Sequence, residues 1–63
     1  MCELTVYAVR GQSREKLMEG VVRLMVQDGK VHMEGIFGDA QEVEGRLTEV
    51  DIMAQSASIV VAD

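Results

Sequence analysis

Apolar and polar residues alternate along most of this chain, in short runs separated by glycine-containing turns. Leu4, Val6 and Ala8 fall on one face of an extended segment, with Thr5 and Tyr7 on the other. That period of two, with β-branched and aromatic residues, is the pattern of a half-buried strand. Residues 10–15 form a polar turn, and Lys16-Leu17-Met18-Glu19 reads as a returning strand or a single helical turn. Gly20 interrupts the pattern. Over residues 21–27, Val22, Leu24 and Val26 share one face while Arg23 and Gln27 take the other. Asp28-Gly29 separates this run from the alternating residues 30–34, and an Asp-Gly pair so placed predicts a tight hairpin.

A second break spans residues 35–40, with its turn at Gly38-Asp39. Residues 41–44 read as a short strand, and Gly45 marks a bulge or a tight bend. Within residues 46–53, Leu47 is out of phase with Val50 and Ile52, so a bulge or strand break is expected near Thr48 and Glu49. Residues 54–57 are a turn and residues 58–62 a last, apolar strand. A helical reading of residues 14–25 is weakened by Gly20 and by the Val21-Val22 pair. The pattern predicts one all-β domain over residues 1–63, a small antiparallel β-barrel-like fold of six or seven short strands. Its strand edges are protected by closure or by pairing with a second copy.

Length sharpens the second possibility. A chain of 63 residues buries a smaller fraction of its surface than a typical domain and commonly needs a disulfide, a metal or oligomerisation. With one cysteine and one histidine, neither an internal disulfide nor a structural zinc cluster can form, so a homodimer is expected. The net charge of −5 counts against nucleic-acid binding, which draws on cations neutralising phosphates. One Phe and one Tyr offer no platform for stacked bases. No basic-then-apolar leader follows Met1, and no apolar run is long enough to span a bilayer. The expectation is a cytoplasmic protein with a reduced thiol and no membrane partner.

Little else could do chemistry. No nucleophile and base pair can be assembled and the glycines form no phosphate loop, so no enzymatic role is expected. Met18, Met25, Met33 and Met53 read as core filler. The acidic second half, Asp39, Glu42, Glu44, Glu49 and Asp51, lacks calcium-loop spacing and reads as a solvated face. His32 lies opposite Val31 and Met33 and reads as a partly exposed strand residue, since one histidine fixes no ligand set. Cys2 has two readings. It is a small buried hydrophobe capping the first strand, or, with Met1 removed, a chelating N-terminus. In the second case its α-amine and thiolate close a five-membered ring on a metal, and the deprotonated amide nitrogen of Glu3 is a possible third ligand. Planar nitrogen and sulfur donors favour Ni(II) or Cu(II), tetrahedral ones zinc.

Met-Cys at the start, the Asp-Gly hairpin, Ile36-Phe37-Gly38-Asp39 and Gly45-Arg46-Leu47-Thr48-Glu49-Val50-Asp51-Ile52 together resemble the CooT family. The resemblance covers nearly the whole chain. It implies a small homodimeric β-barrel-like domain that binds nickel through the N-terminal cysteine, with carbon monoxide dehydrogenase or another nickel enzyme as client. The metal role passes to Cys2, and to Glu3 through its backbone amide. Phe37, Gly38, Gly45, Arg46, Glu49 and Asp51 match the family pattern and carry no ligand role. The tail AQSASIVVAD departs from relatives by lacking a histidine and by a longer turn. Two further readings stand beside nickel handling: a non-catalytic interaction or assembly module with a structural Cys2, and an RNA-binding small barrel.

Overall fold

The computed structural model describes residues 3–61. They form five strands, β1 (Leu4–Arg10), β2 (Ser13–Gln27), β3 (Lys30–Gly35), β4 (Ala40–Asp51) and β5 (Ser56–Val61). Each strand pairs with the next, and β5 returns to β1 to close the barrel. Sequential pairs are antiparallel, while β1 and β5 run parallel, Thr5 beside Ser56 through Val9 beside Val60. The parallel seam follows from parity. Five strands that reverse direction at every connection leave the first and fifth pointing the same way. Closure removes the exposed strand edges of an open sheet.

The expectation of an all-β barrel-like fold is met, with two corrections. There are five strands rather than six or seven, and one of the five pairings is parallel. The count differs because Gly20, read as a break, lies inside one long β2, and the segments before and after Gly45 join in one β4. Gly20 adopts φ +66, a left-handed conformation that glycine enters without a side-chain clash. There β2 turns from its pairing with β1 to its pairing with β3. In β4 the change of partner, from β3 to β5, falls between Glu44 and Gly45. The polar stretch after Arg10 shrinks to a tight turn at Gly11-Gln12, with residues 13–16 already in β2. The last strand begins at Ser56, two residues earlier than its apolar content suggests.

The Asp28-Gly29 hairpin forms as predicted, both residues having positive φ (+53 and +74), the signature of the turn whose twist matches the flanking strands. The bulge expected near Thr48 also appears, as a register shift between Leu47 and Glu49. Leu47, opposite Ile59, packs against the core, while Val50 and Ile52 beyond the shift are exposed. The barrel interior holds Val6, Met18, Val21, Val31, Met33, Ala57 and Ile59. Two of the methionines read as core are therefore core, whereas Met25 lies on the surface and Met53 is 95% exposed.

Gly45 is also where β5 crosses closest. A Cβ placed there would sit 2.6 Å from the Val60 carbonyl oxygen and 2.9 Å from Ile59 Cγ2. Gly45→Ala is expected to force β4 and β5 apart at a cost of about 1–3 kcal/mol, read as a lowered urea midpoint. An unchanged midpoint would show that β5 can retreat freely.

Candidate functional site

Glu3 and the start of β1 lie at one end of the barrel, which we call the mouth. The Thr5 amide donates to the Gln55 carbonyl at 2.9 Å, tying the start of β1 to the β4–β5 turn. On the other side Leu4 pairs with Val21, just past the Gly20 bend. The Ile36 amide donates to the Gly20 carbonyl at 2.9 Å, which brings the β3–β4 turn to the same place. The mouth is thus built from the chain start, one strand bend and two turns. Between them lies a cleft of about 390 Å³ lined by Glu3, Thr5, Glu19, Gly20, Ala54 and Gln55.

Hydrogen bonds close both turns, through the backbone in the first and with a side chain added in the second. In the β3–β4 turn the Gly35 amide donates to the Asp39 carbonyl (2.8 Å) and Gly38, at φ +88, donates to Gly35 (3.1 Å). In the β4–β5 turn Asp51 Oδ1 accepts from the Ala54 amide at 3.0 Å, and Gln55 takes φ +55. This second turn covers residues 52–55 and accommodates the longer tail noted in the sequence.

Two carboxylates line the cleft, Glu3 and Glu19. Glu19 is ion-paired with Lys16, three residues earlier on β2. The hydrogen bond and charge of Lys16 hold the Glu19 carboxyl below the usual carboxylate range, and Glu19 in turn raises the Lys16 ammonium. Cys2, the principal predicted ligand, lies outside the described residues, one peptide bond before Glu3. Glu3 itself is exposed and precedes β1. Its neighbours at the mouth, Glu19 and Gln55, were not singled out in the sequence, and Gly20 only as a break in the pattern, because only tertiary folding brings residues 3, 19 and 55 together.

His32 takes the place predicted for it, half-buried on the outer face with Val31 and Met33 inside. Its Nε2 lies 3.2 Å from Glu34 Oε2, and Nδ1 lies 3.9 Å from Glu42 Oε2 on the neighbouring strand. Arg23 joins the row through Glu34 Oε1 at 3.4 Å. The two carboxylates approach opposite ring nitrogens, so they cannot converge on a single ion with the imidazole. Among the described residues, no group of three or more His, Cys, Asp or Glu is arranged to hold a metal. At the far end of β1, Arg14 stacks 3.8 Å above the Tyr7 ring, a cation–π contact that braces the β1–β2 hairpin.

A family profile described as "CO dehydrogenase accessory protein CooT" matches residues 1–60. The chain belongs to the CooT family. It is accordingly an accessory protein of CO dehydrogenase and not itself a catalyst. A crystal structure of the CooT candidate of Carboxydothermus hydrogenoformans superposes with a TM-score of 0.89 at 21% identity, covering 98% of this chain and 100% of that one. At that identity the match establishes the shared fold. An uncharacterised protein of Archaeoglobus fulgidus is 50% identical over 36 residues, which is 57% of this chain and 80% of that protein. No helix among the described residues is long and apolar enough to cross a membrane.

Proposed function

We propose that this CooT-family chain binds Ni(II) through its N-terminal end and stores, delivers or senses it for CO dehydrogenase or another nickel enzyme. With Met1 removed, the α-amine and thiolate of Cys2 chelate the ion, and the deprotonated backbone amide of Glu3 supplies a third donor. In a homodimer, two such ends would share one ion, since the first contact raises the local concentration of the second chelating group. The observation that carries the reading is the match of the accessory-protein family over residues 1–60, including Cys2. The placement of Glu3 in the open cleft at the mouth supports it, because a donor there is accessible to an arriving ion.

Thiolate and free amine must both be deprotonated to bind, so affinity should weaken as pH falls. Titrating untagged protein, shown by mass to lack Met1, with Ni(II) should produce a thiolate charge-transfer band that saturates at one ion per two chains. Absence of the band in such protein would sink the nickel reading. In that case an assembly module with a structural Cys2 would account for the fold and the family match.

A further inference from the structure

The ring closes in strand order, yet β2 and β4 change partner part-way along. Among the described residues, each half of these two strands therefore carries a ladder on one side only. Such edges invite pairing with another chain unless charge or a bulge blocks them. Three of the four half-edges are blocked. Residues 13–19 of β2 carry Arg14, Glu15, Lys16 and Glu19, and the Leu17 carbonyl accepts from Gln41 Nε2 at 3.3 Å. In β4, residues 40–44 carry Glu42 and Glu44, and residues 45–51 carry Arg46, Glu49, Asp51 and the register shift after Leu47.

Residues 23–27 of β2, Arg23-Leu24-Met25-Val26-Gln27, are the exception. They hold a single charge, at one end and engaged by Glu34, and they pair with β3 without a register shift. Directly opposite residues project from the same face of a sheet. Val26 lies opposite Val31 and Leu24 opposite Met33, both fully buried in the barrel interior. Yet Val26 is 60% exposed and Leu24 only half-buried. These are core-facing side chains with no described strand beyond them.

An open edge is matched by another extended strand, whose backbone meets the unpaired amides and carbonyls. Here the segment matches itself. Laid antiparallel on a second copy about Met25, it sets Leu24 opposite Val26 and Arg23 opposite Gln27, so no like charges face each other. Self-pairing also adds buried surface to a chain of 63 residues, which is short of it.

We infer that residues 23–27 of β2 pair antiparallel with the same residues of a second copy, joining two β2–β3–β4 half-sheets into one of six strands. Leu4 lies beside Val21, before this edge begins, so antiparallel pairing sets the two chain starts at opposite ends of the shared ladder. The contact is therefore additional to the ion-sharing one proposed above, and it needs no metal.

Sedimentation of the metal-free chain at high concentration should give no less than twice its 6.9 kDa. Val26→Lys should weaken the association about tenfold or more, because pairing would desolvate an ammonium without a counter-charge. Val60→Lys is the control. Val60 is 44% exposed but has a strand on either side, Val9 and Arg46 being its neighbours, and its substitution should leave the mass unchanged. Circular dichroism verifies the fold of both variants. Hydrogen exchange on the wild type gives a second reading that no substitution can confuse: amides of residues 23–27 that point away from β3 should be protected and lose protection on dilution. A monomeric wild type, wild-type association in Val26→Lys, or unprotected edge amides would each overturn the pairing. Protected amides in a chain that fails to bind nickel would refute the nickel reading and leave the pairing standing.

Discussion

Cys2→Ser is expected to lower Ni(II) affinity by at least about a hundredfold and to erase the charge-transfer band. The substitution keeps size and removes the soft donor, and a hydroxyl near neutral pH does not ionise to replace it. The α-amine and the Glu3 amide that remain cannot close the same chelate, because its five-membered ring passes through the sulfur. His32→Ala is the control: the imidazole sits on the outer face of β3 between Glu34 and Glu42, and its loss should leave nickel affinity unchanged. Isothermal titration with Met1-free protein checks both. Equal affinity in wild type and Cys2→Ser would remove the chain start from the metal site. A large loss in His32→Ala would move the site to the outer face.

Met33→Ala should cost the barrel about 2–5 kcal/mol, the range for truncating a fully buried methionine. Met33 is fully buried and lies in the core with Val6, Val21, Val31 and Ile59. A domain of 63 residues has roughly 3–9 kcal/mol of stability in total, so this one change removes a large share of it. Met25→Ala provides the contrast within the same residue type. Met25 pairs with His32 on the outer face, and surface substitutions usually stay within about 0.5 kcal/mol. Urea denaturation followed by circular dichroism should separate the two variants clearly. Coincident curves would mean that the barrel interior has been assigned to the wrong side of β2 and β3.

Much of this architecture is legible in the chain because strand chemistry is local. Asp28-Gly29 announces its hairpin through two residues that tolerate positive φ, and the phase slip at Leu47 announces its bulge through alternation alone. Gly20 misleads for an equally physical reason, while Gly45, read as a bulge or a tight bend, lies within the continuous β4. A glycine that ends a strand and one that bends it look alike until the partners on either side are known. Here β2 changes partners at the bend. Met25 and Met53 were indistinguishable from Met18 and Met33 by composition, since burial is decided by which neighbours arrive. The proposed metal site is the least legible of all, because a lone cysteine is compatible with both a core role and a ligand role.

The parallel seam has a consequence for how the molecule comes into being. It joins residues 5–9 to residues 56–60, the longest separation in sequence of any strand pairing in the barrel. Contacts of that span bear the greatest loop-closure entropy and govern the rate in folds dominated by non-local pairing. During synthesis the hairpins can form as they emerge, but β1 has no partner on its open side until the final strand has been made. Thr5 is bonded to Gln55, so the mouth takes shape only when nearly the entire chain is present. A fragment released early would therefore lack both the parallel seam and the Thr5–Gln55 contact, whatever hairpins it had already formed.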